Sequence, residues 1–244
     1  MEAINQLNAD NKPVLEKLII NVLWQEEKGH IIATYDGSEE EYQGLENITS
    51  LAKFGGQSKL KLCKWWQIAV YEQGWGPESP AFQHHTSFIF DNKIFEPEVI
   101  SAVDQIMEEL HGVLSKHDPN GKAYLTWVQV GGKSSKPKAG DTAFYWRDTA
   151  YVSYFKLQWY DRQATNAMID YVRKVREKLV QYTIQHKASY VNFTDSTIPN
   201  WQEAYYGENY SRLQEIKQEW DPNNFFHFEQ SIELPGAQGK LLYF

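Results

Sequence analysis

The sequence predicts an α+β fold, a large antiparallel sheet covered by helices on one face. Three observations predict it. Segments with strand character and segments with helical periodicity interleave along the whole chain, as they do when helices and a sheet share one core. The longest strand-like run, Ala150 to Trp159, alternates between two chemically different faces. The 244 residues are 42% hydrophobic, enough to bury a core without disulfide or metal staples.

In chain order, Leu18 to Trp24 and His30 to Tyr35 read as a strand pair joined by a charged turn around Glu26-Glu27-Lys28-Gly29. Phe82 to Phe90 reads as a further strand. Glu96 to Leu114 places Val99, Val103, Ile106, Leu110 and Val113 at helical spacing, with Pro97 suited to the first turn. Tyr124 to Val130 is a strand ending at Gly131-Gly132, followed by a basic, flexible loop from Lys133 to Gly140. Asp161 is placed to cap a helix from Arg162 to about Gln181, whose inner face would carry Ala167, Ile169, Val172, Val175 and Leu179. Tyr190 to Phe193 reads as a short strand or extended segment. Short helices follow at Trp201 to Tyr206 and Tyr210 to Trp220, the second stopped by Asp221-Pro222-Asn223-Asn224. No internal repeat is present, and one domain over 1–244 is expected.

Composition narrows the function. The formal charge is −8, with 32 acidic against 24 basic side chains, and the basic residues are dispersed. Nucleic-acid binding, which needs clustered Lys and Arg to neutralise phosphates, is not expected. No apolar run is long enough to span a membrane. The N-terminal residues lack a basic stretch followed by an apolar core, so a cytoplasmic location is expected. The single cysteine, Cys63, excludes an internal disulfide and reads as an inert buried thiol. Asn-x-Ser/Thr triplets at Asn47, Asn192 and Asn209 are common by chance. Aromatic residues make up 15% of the chain. Such a surplus suits a deep pocket for a flat or greasy organic ligand, and equally an aromatic-rich core.

Few motifs carry chemistry. Gly132-Lys133-Ser134 follows a strand, but Trp127 stands where a phosphate loop needs its first Gly, and no helix follows. His84 and His85 are adjacent, so on a strand they point to opposite faces and cannot chelate one ion together; no metal site is expected. One of the two could face a pocket as an acid or base. On the long strand, Tyr151, Ser153, Phe155, Leu157 and Trp159 suit a helix-packed core. Val152, Tyr154, Lys156, Gln158 and Tyr160 form the other face, either a cavity lining or a solvated surface.

Three segments together resemble the berberine bridge enzyme-like family of FAD-linked oxidoreductases. They are Gly131-Gly132 with Thr142-Ala143-Phe144-Tyr145-Trp146-Arg147 and the strand ending at Trp159; Tyr190-Val191-Asn192-Phe193-Thr194-Asp195; and Trp201 through Ile232, containing Tyr206-Gly207-Glu208-Asn209-Tyr210-Ser211-Arg212-Leu213 and Asp221-Pro222-Asn223-Asn224-Phe225-Phe226. The resemblance implies a substrate-binding domain, with a berberine-bridge-like C-terminal segment at 190–232. The FAD-binding domain that opens family members has no counterpart in these 244 residues. It also implies a sheet whose free face roofs the flavin ring. In the family a base removes a proton while hydride goes to flavin. The usual Tyr at the fourth position of Tyr-x-Asn-Tyr is here Phe193, and the usual strand carboxylate falls on Val152.

Three functions fit these residues. The first is a cofactor-free cyclase or isomerase of secondary metabolism, a pericyclase acting on a small hydrophobic substrate, since a pericyclic step needs a preorganised pocket and no electron acceptor. The second is the substrate-binding half of a split oxidoreductase whose FAD is supplied by a partner chain. The third is a non-catalytic binder or homodimer. In the first, Arg147, Tyr154, Tyr190 and Asn192 are donor candidates, although Arg147 could simply pair with a carboxylate. Trp127 and Phe193 are candidate walls, and His84, His85 and Lys156 further substrate contacts.

Overall fold

The computed structural model describes residues 17–25, 28–38, 40–41, 64, 67, 80–92 and 96–236. Cys63, Asn47 and Glu26-Glu27 lie outside the described residues. Among the described residues the elements are β1 (Leu18–Gln25), β2 (Lys28–Tyr35), β3 (Phe82–Phe90), α1 (Pro97–His117), β4 (Lys122–Gln129), β5 (Tyr151–Trp159), α2 (Thr165–Leu179), α3 (Trp201–Tyr206) and α4 (Tyr210–Trp220). The five strands form one sheet in the order β2-β1-β4-β5-β3, every neighbouring pair antiparallel. The α+β class is therefore as the sequence predicts.

The sheet has one core face and one open face, and register decides which side chain goes where. Ser153 opposes Trp127, Phe155 opposes Leu125 and Thr86, and Val22 opposes Trp127. Directly opposed residues share a face, so these face the helices together with the buried Phe88, Phe90, Leu157 and Trp159. Helix α1 contributes Val99, Val103, Ile106 and Leu110 to that core, and Pro97 opens its first turn as expected. Helix α2 packs on β3 and β5 and against α1, and the Tyr171 hydroxyl donates to the Ile106 carbonyl between the two helices.

Several expected boundaries shift. Lys28 and Gly29 belong to β2 rather than to the turn. The Lys133–Gly140 loop is not a featureless one. It contains two 3-10 turns, Gly132–Ser135 and Ala139–Asp141. Asp161 does cap, accepting the Gln163 N–H at 2.9 Å, but over a 3-10 turn that precedes α2. The inner face of α2 is rotated from the expected one. Met168, Tyr171 and Arg176 are buried with Val172, Val175 and Leu179, while Ala167 and Ile169 are half-buried. Periodicity locates a stripe only to within a residue or so, and the sheet edge then selects which flank it contacts. Tyr190–Phe193 is a turn, closed by the Phe193 N–H donating to the Tyr190 carbonyl at 3.0 Å, and not a strand.

The C-terminal third wraps beyond the β3 edge onto the open face. Its corner between α3 and α4 grips the 139–147 loop. Asn209 Nδ2 donates to the Ala139 carbonyl at 2.6 Å and the Thr142 carbonyl at 3.0 Å. Trp146 Nε1 donates to the Ala204 carbonyl at 3.0 Å. Gly207 sits at φ 51°, where a Cβ would lie 2.3 Å from the Tyr145 ring, so both the backbone and the space require glycine there.

Candidate functional site

The open face carries Val152, Tyr154 and Lys156 from β5, Thr126 and Tyr124 from β4, and His85 and Ser87 from β3, by the same register argument. The 190–195 turn is anchored to this edge by backbone capture. The one hydroxyl hydrogen of Ser87 is shared between the carbonyls of Tyr190 and Phe193, each at 3.2 Å, and its Oγ accepts the Tyr190 N–H at 3.0 Å.

The turn's second anchor is Asp195, fully buried. One of its carboxylate oxygens accepts from His84 Nε2 at 3.1 Å and from the Thr197 N–H and hydroxyl at 2.8 and 2.6 Å. Burial alone would push this carboxyl up. The hydrogen bonds from His84 and Thr197 outweigh burial and hold it down to about 2. Buried Arg176 on α2 donates to Ser189 Oγ at 2.9 Å and the Ser87 carbonyl at 3.3 Å, and its charge is offset by that of Asp195. Tyr205 and Gln230 complete the framework. The Asp195 N–H donates to the Tyr205 hydroxyl at 2.8 Å, and Gln230 Nε2 to the Asp195 carbonyl at 2.8 Å.

Phe193 is the hub of what this framework presents. Its ring lies 4.4 Å from Tyr154, 5.7 Å from Tyr190 and 6.1 Å from His85, centroid to centroid. Asn192 Nδ2 donates to the Tyr190 hydroxyl at 2.8 Å. That leaves the phenolic hydrogen free to be donated onward. Burial pushes the Tyr154 phenol up and holds it protonated. Burial, then the neighbouring His84, lower the basicity of His85, so it is neutral near pH 7; its Nε2 is buried without a hydrogen-bond partner.

Beside this group is a pocket of about 320 Å³, walled by Phe144, Trp146, Val152, Tyr205 and Tyr206, with Arg147, Tyr190 and Asn192 as polar members. Arg147 lies over the Phe144 ring at 5.3 Å. It donates to the Ser134 carbonyl at 2.7 Å and to the Thr142 hydroxyl. The carboxylate partner expected for Arg147 is thus replaced by a carbonyl and a hydroxyl. Its buried Nε has no partner.

Six of the nine candidates are brought together in this way: Tyr190, Asn192, Arg147, Tyr154, Phe193 and His85. Three are not. Trp127 is no pocket wall; it opposes Ser153, which turns it to the helix side, where it is buried in the core. His84 is committed to Asp195 on the other face from His85. Lys156 shares the open face but points its ammonium over the Tyr124 ring at 5.9 Å. Asp195, Arg176, Tyr205 and Gln230, which position the turn, went unpredicted as site residues. The only sequence signal for Asp195, Tyr205 and Gln230 is their place in the resembling segments, and Arg176 lies outside those segments.

The described residues suit the substrate side of a flat ring, an aromatic face with phenol, amide and imidazole groups. They do not suit a dinucleotide's phosphates. Gly131-Gly132 lead into a four-residue 3-10 turn, and the Ser134 N–H is already bonded to the Gly131 carbonyl at 3.2 Å. Among the described residues there is no metal-holding cluster of His, Cys, Asp or Glu, and no helix long and apolar enough to cross a membrane.

Residues 189–233 match the family model described as "Berberine and berberine like". An uncharacterised FAD-linked oxidoreductase of Bacillus subtilis, YvdP, is 30% identical over 146 residues, 60% of this chain and 30% of that protein. The chitooligosaccharide oxidase of Gibberella zeae is 28% identical over 205 residues, 74% of this chain and 39% of its own. The fold is similar to that of berberine bridge enzyme from Eschscholzia californica, with a TM-score of 0.75 at 18% identity, covering 96% of this chain and 52% of that one. The chain thus spans about a third of these curated relatives and about half of the solved structure.

Proposed function

This chain is a berberine bridge enzyme-like polypeptide of the FAD-linked oxidoreductases, and from that premise we propose that it supplies the substrate-facing half of such an oxidoreductase. The substrate class is a small, flat aromatic alcohol. The observation that carries this reading is the Tyr190–Asn192 pair lining an aromatic pocket of about 320 Å³. That volume lies at the small end of ligand sites, which favours one or two rings over an oligosaccharide.

The roles follow from the chemistry of each group. Phe144, Trp146 and Tyr206 enclose the ring. Tyr190, its oxygen held by Asn192, donates a hydrogen bond to the substrate oxygen and orients it. The substrate's hydroxyl proton passes to solvent, since Phe193 has no group to take it and His85 Nε2 is buried away from the pocket lining. Flavin bound over this face would supply the hydride acceptor.

A purified assembly containing this chain and FAD, mixed anaerobically with cinnamyl alcohol or with a chitooligosaccharide, tests the reading. Bleaching of the flavin's visible band by cinnamyl alcohol, at least tenfold slower in Tyr190→Phe, is expected. Cyclisation of an added polyene by flavin-free protein, with no bleaching, would replace this reading by the cofactor-free cyclase.

A further inference from the structure

Arg147 is a cation without a counter-ion among the described residues. Its Nη1 donates to the Ser134 carbonyl at 2.7 Å and its Nη2 to the Thr142 hydroxyl, both neutral groups. Asp148, its neighbour in sequence, is exposed and pairs elsewhere with nothing that would bring it back. No Asp or Glu lines the pocket of about 320 Å³, and Arg147 is the only charged group in its described wall. The chain as a whole carries −8, so an unopposed positive charge in this hollow runs against the charge of the rest of the molecule.

The surroundings make that charge attractive to an anion. Phe144, Trp146, Val152, Tyr205 and Tyr206 make most of the wall apolar. A charge beside such a wall is poorly solvated and draws an opposite charge more strongly than it would in open water. The guanidinium has N–H donors beyond the two in use; one hydrogen on each Nη stays available. The wall also includes Ser135, a further hydroxyl donor. The Ser134 and Thr142 bonds hold the group in place before a ligand arrives, so little side-chain entropy is lost on binding.

We propose that Arg147 is the specificity-determining residue of this pocket, and that the substrate is an aromatic alcohol bearing a carboxylate. This deepens the oxidoreductase reading above and rests on it. Chemistry selects a carboxylate among anions. Its two oxygens in one plane match the guanidinium fork. It is ionised at neutral pH, whereas a phenol, with a pKa of roughly 10, is not.

Phe144 sets the layout. Arg147 lies over its ring at 5.3 Å, and the Tyr190 ring meets it edge to face at 6.1 Å. One aromatic wall thus stands between the anion site and the hydroxyl site. A substrate ring beside Phe144 places its carboxylate at Arg147 and its alcohol oxygen at Tyr190, whose own oxygen Asn192 holds. Two polar ends fix which way round the substrate lies, which neither end does alone.

Isothermal titration calorimetry of the full chain with 4-(hydroxymethyl)benzoate and with its methyl ester tests this, since the ester keeps the ring and the alcohol but removes the charge. The acid should bind at least tenfold more tightly. Arg147→Gln should bring that ratio down to about one, and Arg147→Lys should retain part of it. An Arg that only braced the loop would weaken both ligands alike. Equal affinities in wild type, no binding of the acid, or a preference that survives in Arg147→Gln would overturn the proposal. The wild-type comparison decides even if Arg147→Gln, checked by thermal melting, does not fold. Flavin bleaching separates the two readings. Where cinnamyl alcohol bleaches the flavin of an FAD-containing assembly but acid and ester bind alike, the oxidoreductase reading stands and the carboxylate site falls. Where the acid is preferred through Arg147 but neither alcohol bleaches the flavin, the carboxylate site stands and the oxidoreductase reading falls.

Discussion

Replacing Asp195 with Asn should destabilise the protein by about 2–4 kcal/mol at pH 7, and the size can be worked from its surroundings. The carboxyl is fully buried and held down to about 2, against roughly 3.9 in an unfolded chain. Each unit is worth about 1.36 kcal/mol, so this group contributes on the order of 2.5 kcal/mol. Breaking one side of a buried charged cluster independently costs about 3–5 kcal/mol, and Asn retains one acceptor for Thr197, which brings the two figures together. For a chain of this size that is a fall in Tm of roughly 5–10 °C. Because the folded-state value is depressed, the contribution is present above about pH 4 and is lost as pH falls through about 2. Thermal melts of wild type and Asp195→Asn across pH 7 to 2 check this. The gap should be full at neutral pH and close toward pH 2. A gap independent of pH, or no gap at pH 7, would refute the assignment of Asp195 as the ionised anchor of the turn.

Three further outcomes are expected. His85→Gln should leave the rate of flavin reduction unchanged, because its Nε2 is buried away from the pocket lining, and stopped-flow rates read this. Trp127→Ala should cost about 3–5 kcal/mol of stability as a core cavity, measured by urea denaturation, whereas Trp127→Phe should leave substrate affinity unchanged because the ring faces the helices. Tyr190→Phe should keep the melting temperature while losing at least a factor of ten in rate, about the worth of one hydrogen bond.

Strand and helix identities were legible wherever periodicity was strong. Phe82–Phe90, Trp201–Tyr206 and Tyr210–Trp220 have the boundaries their patterns imply. The alternation of Tyr151–Trp159 correctly separated a core face from a face with Tyr154 and Lys156. The site was half legible. Tyr190, Asn192 and Phe193 sit in one short segment, and their proximity is local. Trp127 was misplaced because strand pairing, and not the residue's own character, decides which face it takes; a one-residue change of register would have put it in the site.

Spacing along single segments is enough to fix the α+β class, the order of elements and the chemical types available on each strand face. Folding in three dimensions settles that His84 is consumed by Asp195 while His85 stays neutral, and that Arg147 binds a carbonyl and a hydroxyl. The first depends on groups 111 positions apart, His84 and Asp195, and the second on a loop that folds back to place Ser134 and Thr142 against Arg147. Burial and hydrogen bonding assign a role only after folding has brought the partners together.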